Sequence, residues 1–293
     1  CRTPNEAMFV RTYGAVGQVE PVFCNIRDDD SVRAVTKGAN AVVNCVGVLA
    51  ESGKNTFKAV QAEAPGRIAR IASEEGVAQM LHISAIGADA EADSDYARTK
   101  ATGEAAVLEY MPNAVILRPS IVFGPEDDFF NRFAGMSRMG PVLPVVGADT
   151  KFQPVFVDDV AAAVVASLDD SSARGVYELG GPDVATFREL MQTMLTVVQR
   201  NRIVANIPFF VARAMAAGFG LAKTLSLGLF TPPLTTDQVR NLAVDNVVAD
   251  DARGFADLGL TPRSMVSVLP DYLWRFRPSG QYAEIKNSAK NLK

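Results

Sequence analysis

The chain has 293 residues, of which 48% are hydrophobic and 21% are charged, and its formal net charge is −4. This composition excludes a disordered or fibrous chain, and the acidic balance gives no overall electrostatic reason to bind nucleic acid. A single histidine and three cysteines form no metal-binding spacing, and Cys24 and Cys45 lie in apolar runs where we expect them to be buried.

Up to about Leu179, short β-branched runs alternate with helical patterns, which predicts βαβ units and a parallel sheet. The predicted strands are residues 21–25, 41–46, 80–84, 114–117, 152–157 and 176–179. The run 41–46 is apolar almost throughout, as in a strand that helices cover on both faces. Helices are predicted at 65–75 and 96–111.

After Gly180 the pattern becomes mainly helical. We therefore divide the chain at this point. Residues 1–180 are predicted to form an α/β domain with a doubly wound parallel sheet, and residues 181–293 a smaller, mainly helical domain.

The stretch 190–236 contains Arg200, Arg202, Arg213 and Lys223 but no acidic residue, and its centre at 209–230 is otherwise apolar. Two interpretations stay open. One is a surface that faces anionic lipid headgroups or an acidic partner. The other is a core helix whose cations extend to solvent. The cations within the apolar centre argue against a membrane-spanning helix.

Tyr96 and Lys100 lie four residues apart on a predicted helix and therefore share one face. An ammonium there is expected to lower the pKa of the phenol and to be able to bind a ribose hydroxyl. Ser84 ends a predicted parallel strand, at the edge where ligands bind in open parallel sheets. The three residues are a candidate catalytic site; the alternative is a surface Tyr/Lys pair beside a capping serine.

The sequence LRPSIVFGP follows at 117–125. Together with the serine, tyrosine and lysine, it resembles the extended short-chain dehydrogenase/reductase superfamily, whose fold is Rossmann-like. The resemblance implies that Tyr96 is the acid/base group, that Lys100 holds the nicotinamide ribose and that Ser84 positions a substrate. It leaves open whether this triad is active or vestigial.

The resemblance also implies a nicotinamide cofactor, with adenine near Asn25, the adenosine ribose near Gly47 and the nicotinamide near Pro119. The implied cofactor-binding residues are Arg2, Asn25, Ile26, Val46, Gly47, Tyr96, Lys100 and Pro119.

Two departures from the superfamily pattern affect the cofactor prediction. The Gly-rich phosphate loop, GxxGxxG, is not found, and we expect that the first βα unit is missing from this chain, because Cys1 and Arg2 resemble the end of a second strand. Arg2 occupies the region where a family member selecting NAD carries an acid. This favours NADPH, with NAD as the weaker candidate, unless Arg2 is an ordinary surface residue.

The segments 11–19, 118–134 and 152–160 are similar to one branch of this superfamily, the accessory 39 kDa or alpha-subcomplex-subunit-9 family of respiratory complex I. That resemblance implies a non-catalytic, NADPH-holding subunit beside the quinone-site region, where the hydrophilic and membrane arms meet. Its partners would be other complex I subunits and, through 190–236, the membrane surface.

The implied location is the cytoplasmic face of a bacterial inner membrane or, alternatively, the matrix face of the mitochondrial inner membrane. The alternative function is an independent NADP-dependent reductase or a sugar-nucleotide epimerase or dehydratase.

Overall fold

The computed structural model describes residues 1–226 and 232–282, with only the main chain of Lys223 and Gln281. The described chain forms two compact units. The first consists of Cys1–Ser84, Ala88–Ile116 and Ser167–Gly175; the second consists of Ala85–Gly87, Leu117–Ala166 and the described residues from Val176 onward. A division at residue 180 stays a prediction.

The strands and helices of the described residues are as follows. The strands are β1 (Ala41–Asn44), β2 (Gln79–Ile83), β3 (Val115–Pro119), β4 (Val122–Phe123), β5 (Val142–Val146), β6 (Lys151–Phe152), β7 (Val155–Phe156), β8 (Gly175–Leu179), β9 (Ala185–Thr186) and β10 (Ile203–Ile207). The α-helices are α1 (Asp29–Thr36), α2 (Ala64–Glu74), α3 (Asp95–Tyr110), α4 (Phe130–Met136), α5 (Val157–Asp169), α6 (Phe187–Val197), α7 (Phe209–Leu225), α8 (Thr236–Asn241) and α9 (Met265–Leu273). A π-helical segment, Lys58–Glu63, leads into α2.

The main sheet has the strand order β1-β2-β3-β8. Strands β1 and β2 run parallel, with Asn44 opposite His82. Strand β8 runs parallel to β3, because Gly175 donates to Ala114 O at its start and Ser120 donates to Leu179 O at its end. The predicted α/β fold with a parallel sheet is confirmed.

Two of the predicted strands are wrong. Residues 21–25 form no strand, since their main-chain pairing with Cys1 extends over just two bonds, of 2.8 Å to Val22 O and 2.9 Å from Cys24 N. The predicted strand 152–157 is divided between β6, β7 and the start of α5. Pro154, which has no N–H to donate, lies at the interruption.

The run 41–46 is less covered than its sequence suggests. The strand ends at Asn44, and the side chains of Val43 and Val46 are exposed. The strand lies at the edge of the described sheet, so its side chains have strand neighbours on one side only. The prediction that both faces are covered is wrong.

Close packing in the first unit fixes the position of α3. A Cβ on Gly103 would lie 2.0 Å from Gln61 O, and a Cβ on Gly66 would lie 2.9 Å from Ala106 Cβ. Only glycine allows these backbones to approach so closely. The helix begins where Ser94 accepts a hydrogen bond of 3.0 Å from Ala97 N. These contacts hold α3, which carries Tyr96 and Lys100, closely against α2 and the π-helical segment.

The core of the second unit combines phenylalanine, leucine, methionine and valine side chains, many of them from α4, α6 and α9. Phe129 stacks on Phe187 at 5.5 Å, and Phe123 meets Phe130 edge-on at 5.9 Å. Strands β5 and β10 pair in parallel beside this core. A capping box formed by Thr186 and Glu189 starts α6. Among the described helices, none has both the length and the apolarity needed to cross a membrane.

Candidate cofactor site

The structure brings the three predicted triad residues together within the first unit. Ser84 directly follows β2, and its position is buried. Lys100 Nζ donates to Ile83 O at 3.2 Å, so α3 is joined to the end of β2 next to Ser84. Tyr96 lies one helical turn before Lys100, with its ring centroid 6.0 Å from the ammonium.

Tyr96 remains protonated at neutral pH. Its half-buried ring packs edge-on against Phe57 at 5.9 Å, and burial raises its pKa to about 12. The prediction that Lys100 lowers the pKa of Tyr96 is therefore wrong, because desolvation of the phenolate dominates. In this environment Tyr96 is suited to donate a hydrogen bond.

Lys100 is a buried cation with donors to spare. Its side chain is 5% exposed, and burial lowers its pKa to about 8, against the opposing effect of the Glu104 carboxylate one turn on. An ammonium has three donor hydrogens, and the bond to Ile83 O uses one. The loop at Gly47 lies against it, since a Cβ there would be 3.5 Å from Nζ.

These residues fit the ribose half of a nicotinamide nucleotide. Ser84 Oγ is buried and has no hydrogen-bond partner among the described residues, which is a costly state for a hydroxyl unless a ligand or water completes it. Lys100 supplies N–H donors that no described residue uses. Gly47 beside it is exposed and has no side chain, so a ligand can approach these donors. A ribose has the hydroxyl groups that such a set would bind.

His82 belongs to the same cluster and was missed by sequence reasoning. Asn44 Nδ2 lies 3.0 Å from His82 Nδ1, and Asn44 Oδ1 accepts a bond of 3.1 Å from Val46 N. The amide therefore donates to the ring, which places the ring proton on Nε2. Burial, assisted by the charge on Lys100, lowers the pKa of His82 to about 3. A neutral His82 thus fixes Asn44 and, through it, the loop before Gly47.

The sequence carried one usable signal for His82. It is two residues before Ser84 on β2, and alternate residues of a strand share a face. Its Nε2, like Ser84 Oγ, has no partner within the described part of the chain.

The predicted adenine-binding residues lie in a loop that hydrogen bonds hold in place. Asn25 N donates to Ser31 Oγ at 2.8 Å, and Ile26 O accepts from Arg67 at 3.1 Å. The bond between Cys24 N and Cys1 O brings the exposed Arg2 beside this loop. Arg27 is a further cation at this loop, and the sequence did not point to it. Its Nε donates to Asn25 Oδ1 at 3.4 Å.

The remaining predicted residues are placed as follows. Val46 is exposed in the loop after β1. Pro119, the last residue of β3, belongs to the second unit, where its carbonyl accepts a bond of 3.0 Å from Ile86 N. The expectation that Cys24 and Cys45 are buried is wrong: Cys24 is half-buried and Cys45, which follows the end of β1, is exposed.

The buried charge of Lys100 predicts a pH dependence of stability. Its pKa is about 8 in the folded chain, against 10.5 for an ordinary lysine, so the unfolded chain binds more protons between these values. Stability from this group therefore rises as pH increases from 8 to 10, by about 2 kcal/mol. We expect urea unfolding of the nucleotide-free protein to show this rise relative to Lys100→Met. Parallel curves for the two proteins would contradict it.

Comparison with known proteins agrees with this geometry. Residues 13–208 match the family described as RmlD substrate binding domain. The chain is 36% identical over 277 residues to NADH dehydrogenase (ubiquinone) 1 alpha subcomplex subunit 9, mitochondrial, of Arabidopsis thaliana, a match that covers 92% of this chain and 69% of that protein. The chain belongs to the alpha subcomplex subunit 9 family. The resemblance seen in the sequence is thereby confirmed for this family.

Solved structures of low identity to this member of the alpha subcomplex subunit 9 family share its fold. A double mutant of dTDP-glucose 4,6-dehydratase from Streptomyces venezuelae with NAD bound has a TM-score of 0.67 at 18% identity, and the likeness covers 99% of this chain and 87% of that one. RMD from Pseudomonas aeruginosa complexed with NADPH has a TM-score of 0.62 at 15% identity, covering 94% and 96%. Both likenesses support the Rossmann-like fold.

Proposed function

We propose that this chain is an accessory, non-catalytic subunit of respiratory complex I that holds NADP(H) and supports the assembly and stability of the complex. The observation that carries the proposal is the match to the alpha subcomplex subunit 9 family along nearly the whole chain. The site is consistent with holding a cofactor, because Tyr96 stays protonated and Lys100 is anchored to main chain. Co-migration with complex I in membrane extracts tests the assignment.

The proposed location is the matrix face of the mitochondrial inner membrane, near the quinone-site junction of the two arms. The relatives from Arabidopsis thaliana and Neurospora crassa are named as mitochondrial proteins, which favours this alternative over the bacterial inner membrane. Partners are other complex I subunits and, through 190–236, the membrane surface. Helix α7 supports such a surface: Ala212 and Ala216 are buried, while Phe210, Leu221 and Leu225 are exposed. Residues 227–231 of the stretch lie outside the described residues.

The proposed cofactor is NADPH, with Lys100 and Tyr96 at the nicotinamide ribose and Arg2 at the 2′-phosphate. Bound NADPH would supply a hydride donor. The neighbouring folds hold NAD in one case and NADPH in the other, so the choice depends on local charge. Arg2 and Arg27 both lie beside Asn25, the predicted adenine position, and arginine pairs well with phosphate.

Identifying the bound nucleotide tests the cofactor. We expect mass spectrometry of nucleotide extracted from the native protein to find mainly NADP(H). Replacing Arg2 by alanine should lower the ratio of NADP(H) to NAD(H), since it removes charge-assisted bonds that contribute about 1.5–3 kcal/mol. Arg174→Ala, an exposed arginine of the same unit, is the matched control. Recovery of mainly NAD(H) from the native protein would refute the assignment.

The second candidate function is an independent NADP-dependent reductase, epimerase or dehydratase. The observation that favours it is Ser84 Oγ, which is buried and has no partner in the described chain although Lys100 bonds to the carbonyl of the adjacent Ile83. A hydroxyl in that state could polarise a substrate carbonyl. Replacement of Tyr96, described in the Discussion, separates the two functions.

A further inference from the structure

A cleft of about 670 Å³ lies at the amino ends of β5 and β10, in the second unit. Arg200, Arg202 and Gln192 line it together with Pro141 and Ile203. All of its lining residues belong to the second unit, whereas Ser84, Tyr96 and Lys100 belong to the first. The cleft is therefore separate from those cofactor-site residues.

Three like charges lie close together here: Arg200 and Arg202 line the cleft, and Arg138 follows Ser137, to whose carbonyl Arg202 donates. Burial lowers the pKa of Arg200, and repulsion from Arg202 and Arg138 lowers it further. In the part of the chain that the structure describes, none of the three forms an ion pair with an acidic residue. A group of cations held close together in this way is stabilised when an anion binds.

The arginines are held in position by main-chain carbonyls. Arg200 Nε donates to Phe276 O at 2.9 Å, and Arg202 Nε donates to Ser137 O at 2.8 Å. These bonds orient the guanidinium groups and leave other N–H donors unused. Gln199, at the rim, ends α6 in the left-handed conformation common at helix ends, since Arg200 N donates to Leu195 O at 3.0 Å and Gln199 N donates to Thr196 O at 3.1 Å.

Apolar side chains stand beside the cations. Met139 is 82% exposed and Ile203 is 68% exposed. The bond from Ile203 N to Pro141 O, 3.0 Å long, keeps both segments at the same edge. A soluble anion would leave these side chains in water, whereas the boundary between headgroups and acyl chains would bury them.

We propose that this cleft binds the phosphate of an anionic phospholipid headgroup through Arg138, Arg200 and Arg202, with Met139 and Ile203 in contact with the acyl boundary. A guanidinium group can donate two parallel hydrogen bonds to two oxygens of one phosphate. The inference deepens the membrane-facing part of the proposed function. Its test uses the isolated full chain, so that its failure is distinct from a failure to join complex I.

The experiment is co-sedimentation of the purified chain with vesicles of phosphatidylcholine, alone or mixed with phosphatidic acid. We expect binding to the mixed vesicles only. Each arginine near an anionic surface contributes about fivefold in affinity, so Arg138→Gln should weaken binding about fivefold and the triple glutamine variant about 100-fold. Thermal unfolding checks that each variant is folded. Arg138 is exposed and its side chain makes no hydrogen bond within the described residues, so Arg138→Gln remains informative if the triple variant does not fold.

Control and competitor arms separate the sources of the anion. Arg174→Gln should bind vesicles like the wild type, and Met139→Ser with Ile203→Ser should bind them more weakly. The proposal would be overturned if the chain bound neutral vesicles as well as the mixed ones, or if Arg174→Gln weakened binding as much as Arg138→Gln. So would displacement from vesicles by low millimolar inorganic phosphate, which would indicate a soluble ligand. Stronger arginine-dependent binding to a polyglutamate peptide than to vesicles would indicate an acidic protein partner instead.

Discussion

Replacement of Lys100 by methionine is expected to release the nucleotide while the chain stays folded. One N–H of the buried ammonium bonds to Ile83 O, and its other N–H groups are the donors that can bind the ribose. Methionine fills a similar volume without a charge that must be desolvated. A bond from a charged donor contributes about 1.5–3 kcal/mol, so affinity should fall about 10- to 100-fold. Nucleotide per chain after gel filtration is the measurement, with thermal unfolding as the control for folding.

Tyr96→Phe is the matched variant, because it removes one hydroxyl from the same helix face. We expect a loss of about 1 kcal/mol in cofactor binding, with assembly and quinone reductase activity nearly intact. If Tyr96→Phe abolished activity while the complex assembled normally, the tyrosine would be a catalytic residue and the enzyme interpretation would replace the accessory one.

Reversal of two charges in α7 should release the chain from its complex or membrane. Arg213 is exposed on this helix next to the exposed Phe210 and Leu221; the side chain of Lys223 lies outside the described residues. In Arg213→Glu with Lys223→Glu, each lost contact costs about 1 kcal/mol at an anionic surface, and more where a partner charge is left buried. The fraction of the chain that sediments with membranes measures the effect.

The control for this reversal is Lys37→Glu with Arg174→Glu, which makes the same change in net charge at two exposed positions of the first unit. The control should stay bound, and cofactor content should be normal in both double variants. Full-stoichiometry co-purification of the α7 variant would show that the docking surface lies elsewhere.

The sequence was sufficient for the features that depend on local periodicity. Helices α2 and α3 and the parallel order of the main sheet follow from apolar spacing, and the place of Ser84 follows from its position at a strand end. Sequence also predicted that Tyr96 and Lys100 share a helix face, which needs only the pitch of a helix.

The missed features depend on contacts between distant segments. His82 is a lone histidine in the sequence, and its bond to Asn44 exists only because β1 and β2 pair in that register. The raised pKa of Tyr96 comes from burial beside Phe57, which precedes it by 39 residues. Residues 21–25 have a strand-like composition, yet a strand also needs a partner ladder, and within the described residues this segment pairs with Cys1 alone.

The most direct test of the assignment to complex I is the size at which the native protein migrates in mild-detergent extracts of its own membranes. We expect the chain to co-migrate with NADH:quinone reductase activity at the size of the whole complex, and the excised complex to contain NADP(H). Migration of the whole pool as a free chain or small oligomer, with a reductase or epimerase activity of its own, would contradict the account.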